Sequence, residues 1–138
     1  MKKVSSIDID DLLYELLKAA VTAGEIEISG GIYNEDDRPD GSSKEDITGN
    51  TIAADHDKPQ TATSNINIYV PDLYLKIKGV AQYKKNKERL RDIGDSITYL
   101  LDAQNLDDLE MWIEADTLLA FPDIHQHSRN IRIKWNIH

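Results

Sequence analysis

Apolar residues recur at helical spacing in two segments of the chain. In the second segment, from about residue 84 to residue 102, they are Leu90, Ile93, Ile97, Leu100 and Leu101. In the first segment they are Ile9, Leu12, Leu13, Leu16, Leu17 and Ala20. Steps of three and four place each set on one face of a helix. The sequence therefore predicts two amphipathic helices, each with one face turned towards a core.

Other segments alternate apolar and polar residues, as strands with one wet face do. The clearest is NINIYV at 65–70, which Pro71 stops because proline has no N–H for pairing. The alternation also predicts strands at 26–32, 109–116 and 130–137, and a weaker pattern predicts one at 46–53. Residues 73–77 continue the period of two, which leaves open an extended segment or a direct lead into the second helix.

The predicted order of elements is α-β-β-β-α-β-β. Helices and strands that are segregated in this way favour an α+β domain built on an antiparallel sheet, with the two helices packed on one face. The last two strands carry Glu110 and Glu114 on one and Arg132 and Lys134 on the other, and opposite charges across a strand pair favour pairing. A chain of 138 residues has the length of a single domain, so we expect one domain over residues 1–138.

Two polar segments are predicted to be exposed loops. Residues 34–44 (NEDDRPDGSSK) contain no large apolar side chain and collect turn-forming residues, and residues 55–64 form a second polar loop. We expect the segment 34–44 to be mobile in the free subunit, because nothing in its composition offers a core contact. Slow amide exchange throughout that segment would contradict this expectation.

Charge is distributed unevenly along the chain. Its 25 acids and 16 bases give a net charge of −9, and residues 1–57, with 14 acids and 5 bases, carry all of that imbalance. An acidic half opposes binding to phosphate backbones and favours a partner with basic patches. Ordinary solubility explains a charge of this size equally well.

Composition also bears on compartment and on cysteine chemistry. The chain has no cysteine, which excludes disulfides and thiolate sites. It has no apolar run near the roughly 20 residues of a membrane span, and its start does not resemble a secretory signal. We therefore expect a cytoplasmic protein without a membrane partner.

One basic run stands out in the second half of the chain. Two explanations are open for it: a contact with an acidic surface of a neighbouring subunit, or nucleic acid. The net charge of the chain favours the subunit contact and argues against sequence-specific nucleic-acid binding. The run consists of Lys84, Lys85, Lys87, Arg89 and Arg91.

Candidate chemistry is sparse. His125 and His127 lie two residues apart in a predicted loop, with Asp123 nearby, but a metal site would need a further ligand that converges from elsewhere. The triplet Asp55-His56-Asp57 lacks the spacing of any established site, and neither a nucleophile elbow nor a phosphate-binding loop is present. We therefore predict no catalysis, no cofactor and no metal. A hydrolase or metal enzyme that uses both histidines is a third hypothesis, which bound zinc would support.

The order of elements, with the stretch from Glu45-Asp46-Ile47-Thr48 to the NINIYVP segment, resembles the small tail-completion (tail terminator) and neck proteins of tailed bacteriophages and prophages. The resemblance spans residues 7–137. It implies a non-enzymatic structural protein that assembles as a ring, commonly a hexamer, at the end of the tail tube or at the head–tail junction. Its partners would be copies of itself and tail-tube or head-connector proteins, and it would join the virion after assembly in the cytoplasm.

Rings of head-to-tail contacts need two different complementary patches on each subunit. The polar loops and the basic run are the candidates for those patches. The main rival hypothesis is a monomeric acidic binding module that occludes a basic protein partner. The residues predicted to make interactions are Asp36, Asp37, Arg38, Asp40, Asp55 and Asp57 on the loops, and Lys84, Lys85, Lys87 and Arg91 on the basic run.

Overall fold

Two helices lie where the apolar spacing predicts them, in a computed structural model that describes residues 4–54, 60–106 and 108–138. Helix α1 spans Ser6–Thr22 and helix α2 spans Lys87–Asp102. Ser5 caps α1 through a reciprocal pair of hydrogen bonds with Asp8, which satisfies two backbone N–H groups that the helix leaves unpaired. Helix α2 begins about three residues later than predicted, because Lys84 ends a strand and Asn86 caps the helix.

Five strands form one sheet in the order β1-β2-β3-β7-β6, and β4 pairs only with β5 in a separate two-stranded sheet. The β1–β2 pair is parallel and the others are antiparallel. The fold is therefore α+β as predicted, but its main sheet is mixed instead of antiparallel. The strands are β1 (Ile32–Asn34), β2 (Asp46–Ala54), β3 (Gln60–Pro71), β4 (Leu73–Ile77), β5 (Val80–Lys84), β6 (Leu109–Phe121) and β7 (Gln126–Ile137).

The core lies between the two helices and one face of the main sheet. The buried faces of α1 and α2 meet alternate residues of β2, β3 and β7 in one cluster. Ser64 is buried among them and accepts a hydrogen bond from Trp135 Nε1 at 2.9 Å, while its hydroxyl lies 2.8 Å from that of Thr51. These bonds satisfy polar groups that would otherwise destabilise the core.

The predicted loop at 55–64 is wrong in its second half. Residues 55–59 lie outside the described residues, but residues 60–64 form the start of β3, where Gln60, Ala62 and Ser64 are buried. Gln60 exchanges hydrogen bonds with the backbone of Val4. The polar composition concealed this strand because its inward side chains are small or are hydrogen-bonded inside the protein.

The predicted strand at 26–32 is also wrong in most of its length. Ile26 is buried, but only the three residues Ile32–Asn34 pair, and they pair in parallel with β2. Gly30 packs so closely on Asp46 and on the backbone of Glu45 that a Cβ would not fit. Gly30 and Gly31 therefore bring this segment against the end of β2, and regular pairing begins only after them.

Arg129 of β7 joins three elements on the helix side of the sheet. Its guanidinium donates to the backbone oxygen of Leu90 at 3.2 Å, to Asp95 at 3.1 Å and to Asp116 of β6 at 2.7 Å. The hydrogen bonds that Arg129 donates to Asp116 and Asp95 raise its pKa above the ordinary value despite partial burial. Gly94 of α2 leaves room for this side chain, because a Cβ there would overlap the guanidinium.

Replacing Gly94 by alanine is expected to destabilise the protein by about 1–2 kcal/mol, because the added methyl group displaces the hydrogen-bonded Arg129. At a solvent-exposed helix position, a change from glycine to alanine would stabilise the protein by about 1 kcal/mol. Urea unfolding of the variant and of the wild type measures the change in the free energy of unfolding. Ser96→Ala, on the same helix, is the matched control, since it raises helix propensity without reaching Arg129. A Gly94→Ala variant more stable than the wild type would contradict this packing.

Candidate interaction surfaces

Strands β4 and β5 form a hairpin separate from the main sheet; we call residues 73–84 the arm. The strands pair in antiparallel register, with Ile77 opposite Val80. Lys78 and Gly79 connect them with φ angles of 51° and 80°. Two successive positive φ angles are the requirement of a type I′ turn, whose twist matches that of paired strands. The local sequence therefore specifies a tight hairpin where the sequence analysis left the conformation of 73–77 open.

The arm exposes its apolar side chains to solvent. All residues of β4 and β5 except Gln82 are exposed. An isolated two-stranded hairpin is at best marginally stable in water, and clustered exposed apolar side chains are typical of interaction sites. Four of them share one face of the hairpin with exposed fractions between 38% and 59%, and they are Leu73, Leu75, Ile77 and Val80.

The base of the arm is fixed to the turn between β6 and β7. The ring of Tyr83 stacks on that of His125 with 3.6 Å between centroids. The backbone N–H of Asp72 donates to the backbone oxygen of His125 at 2.9 Å, and the Asp72 carboxylate lies 2.6 Å from Nδ1 of His127. The hairpin is therefore held at one end while its tip projects.

The predicted loop around His125 and His127 is only partly a loop. His125 adopts a left-handed conformation in the turn, whereas Gln126 and His127 begin β7. Within the described ranges no three histidine or carboxylate side chains are grouped so that they could hold a metal ion. Each histidine instead contacts the base of the arm.

Arg38 ties the polar loop 34–44 to the sheet. Its guanidinium donates to Asp46 at 2.9 Å and to Gln126 at 2.9 Å, and it lies over the ring of Tyr69. Gln126 donates in turn to the backbone oxygen of Ser42 at 2.6 Å. These contacts anchor the middle of a segment that the sequence predicted to be mobile throughout, and they turn Arg38 inwards.

The carboxylate of Asp46 is the centre of this anchor. It is 1% exposed and accepts hydrogen bonds from Ser42 Oγ at 2.5 Å and from the backbone N–H of Gly31 at 3.0 Å, besides that from Arg38. Burial by itself would raise the pKa of Asp46, but the three hydrogen bonds together outweigh it and lower the pKa below its ordinary value. The loop thus depends on an ionised carboxylate.

The acidic candidates of the first half face solvent where the structure describes them. Asp36 and Asp37 lie in a short 3-10 helix, Glu35–Asp37, and Asp40 follows in the loop; all three are exposed. Asp55 and Asp57 lie outside the described residues. With Arg38 turned inwards, the outward charge of this loop is acidic.

The basic run is divided between the arm and α2. Lys84 ends β5, whereas Lys85, Lys87 and Arg91 line a depression of about 450 Å³ beside Arg129. The remaining member, Arg89, donates to both carboxylate oxygens of Glu45 at 2.7 and 2.9 Å, and these hydrogen bonds lower the pKa of Glu45. The other four basic side chains of the run are thus available to contact a partner.

A second depression, which we call the edge groove, lies between the end of α2 and the start of β6. Its volume is about 480 Å³, and its lining includes Asp102, Glu110, Leu106, Leu109, Met111 and Trp112. Strand β6 is at the edge of the sheet, and apart from an isolated bridge between Leu106 and Leu109 no described strand pairs with its outer side. The alternation of residues 109–116 predicted the strand, but only the strand order shows that it is an edge.

Comparisons with known proteins give no family assignment. No protein-family model matches the chain, and a search of curated proteins found no significant match. Among the described residues, neither helix has the length and apolar character needed to cross a membrane.

Proposed function

We propose that this chain is a non-enzymatic structural protein of a phage or prophage particle, similar to tail-completion or head–tail joining proteins, and that it acts by assembling with copies of itself into a ring. The observation that carries this proposal is the arm. A hairpin with four exposed large apolar side chains on one face has a clear use in an assembly, where a neighbouring subunit covers that face.

The distribution of charge supports the same proposal. The arm carries Lys76, Lys78 and Lys84 and no acid, whereas the polar loop exposes Asp36, Asp37 and Asp40. A subunit with basic and acidic patches at different places favours head-to-tail contacts, and such contacts close into rings when the rotation between neighbours permits. In this proposal the tail tube or the head connector is the further partner of the ring, and the protein becomes a virion component.

The rival function is a monomeric module that occludes a basic protein partner. The exposed acids of the polar loop favour it, because they form an outward acidic surface. The hypothesis of a monomeric module gives no role to the apolar arm, because in a monomer the apolar face of the arm stays exposed to solvent. The two functions therefore differ in whether the purified chain associates with itself.

Light scattering over a concentration series tests the proposal. We expect the mass to rise from that of one 15.6 kDa chain towards that of a closed ring, about 94 kDa for six copies, and to fall again at high salt because salt screens the charge contacts. Electron microscopy of the largest species should show a ring. A mass of one chain at every concentration and salt would contradict self-assembly and favour the acidic module.

A further inference from the structure

We infer that the arm of one copy docks in the edge groove of a second copy. This inference rests on the self-assembly proposed above and names the two surfaces that meet. Both surfaces expose apolar side chains on strands at the edge of their sheets: the arm has four on one face, and the groove has Trp112, 50% exposed, beside Leu109 and Met111. Addition of a strand to an exposed sheet edge is a recurrent mode of recognition.

Charge complements the apolar match. The arm has three lysines and no acid. The edge groove has Asp102 and Glu110, and none of its described lining residues is basic, although Glu110 Oε1 lies 2.5 Å from Nε2 of His138. Asp102 also ends α2, whose last turn has no base to offset the negative end of the helix dipole. A lysine from the arm, such as Lys78 at its tip, would supply the missing positive charge.

The same charges disfavour the two symmetric alternatives. Pairing of two β6 edges would bring Glu110 and Glu114 of one copy against those of another, and β6 contains no base. Pairing of two arms would bring lysines together. Like charges across an interface suppress the wrong pairing, so the arm and the groove fit each other better than either fits itself.

Distance prevents the arm from entering the groove of its own chain. The arm is fixed at His125, which follows the end of β6 at Phe121, whereas the groove lies at the other end of that strand around Leu109 and Trp112. Nine residues of strand span roughly 30 Å, while the five-residue strands of the arm reach only about 17 Å. The occupant of the groove is therefore the arm of another copy, and repeating this contact is head-to-tail.

A charge-reversal pair tests the docking. We expect Lys78→Glu/Lys84→Glu on the arm, at its tip and on its apolar face, and Asp102→Lys/Glu110→Lys in the groove each to weaken self-association about 100-fold, because each places like charges in the contact. An equimolar mixture of the two variants should associate as the wild type does. In an alternating assembly every reversed arm then meets a reversed groove, and every wild-type arm meets a wild-type groove.

The control variant Lys18→Glu/Arg132→Glu changes the net charge as much as the arm variant does, at exposed positions of α1 and of β7, and should associate normally. Thermal unfolding of each variant should show that the fold is kept. Light scattering reads the mass of each sample.

The outcomes separate the docking from the proposed function. A wild-type oligomer that neither reversal affects, or two dissociated variants that do not complement each other, would overturn the docking and leave self-assembly standing. A wild-type chain that stays monomeric would overturn both. Complementation that stops at a dimer would support the docking and contradict the ring.

Discussion

Replacing Asp46 by alanine is expected to lower the free energy of unfolding by about 3 kcal/mol. The change removes the carboxylate that accepts from Arg38, Ser42 and the backbone of Gly31, and it leaves a mostly buried guanidinium without its counter-ion. Breaking a buried ion pair from one side costs roughly 3–5 kcal/mol. The lower end applies here because Arg38 lies on a surface loop and can turn to water. Urea unfolding at pH 7 measures the loss.

The stability that the Asp46→Ala variant loses relative to the wild type should depend on pH. Hydrogen bonds lower the pKa of Asp46 in the folded protein, so its contribution to stability is complete above the ordinary carboxylate pKa of about 4 and disappears as the pH falls through the lower folded value. The difference from the wild type should therefore shrink below about pH 4. Asp37→Ala, at an exposed position on the same loop, should change stability by no more than about 0.5 kcal/mol at any pH. If Asp46→Ala and Asp37→Ala lost the same free energy of unfolding, the hydrogen bonds around Asp46 would contribute nothing to stability.

Replacing Leu75 and Val80 together by threonine is expected to weaken self-association about 100-fold without changing the stability of the monomer. Burial of one large aliphatic side chain contributes about 1.5–3 kcal/mol, and 1.4 kcal/mol corresponds to a factor of ten in affinity. Both side chains lie on the exposed apolar face of the arm, so the core does not depend on them. Threonine is β-branched, a shape that strands favour.

Two measurements check this prediction. Sedimentation or light scattering over a concentration series gives the change in self-association, and urea unfolding below the association range gives the stability. The control is Tyr99→Gln, which removes an aromatic side chain that is 78% exposed on α2 and leaves the arm intact. If both variants associate like the wild type, the arm is not covered by another copy.

The helices and the longer strands could be predicted because a single periodic signal determines each of them. Residues such as Leu13, Leu17, Ile93 and Ile97 are spaced for one helical face, and all four are buried. The NINIYV segment alternates over its whole length and lies in the central strand β3. Where tertiary packing and local periodicity agree, the pattern alone is enough to predict the element.

The predictions that were wrong involve polar residues inside the fold. Residues 60–64 were predicted as a loop because Gln60 and Ser64 are polar, yet both are buried with hydrogen-bond partners supplied by residues distant in sequence. The contacts of the polar loop were missed as well, because nothing in its composition shows that Arg38 meets Asp46 and Gln126. Such partners become visible only when the chain is folded.

The candidate surfaces were predicted in part. The basic run was identified from its composition, but the structure divides it between the arm, the depression beside Arg129 and an internal pair with Glu45. The arm was missed as a hairpin because Lys78-Gly79 is a short turn signal between segments that also fit the start of a helix. The edge groove was missed entirely, since Asp102 and Glu110 belong to different elements whose approach depends on packing.

By itself the sequence determined the α+β class, the two helix faces, the central strand and the unequal distribution of charge, because each follows from local spacing or composition. Only the tertiary structure decided that β1 runs parallel to β2, that Arg38 turns inwards, that β6 is an edge and that the arm stands apart from the main sheet. These features depend on strand order and on contacts between residues distant in sequence. Such long-range contacts produce no periodic pattern in the sequence.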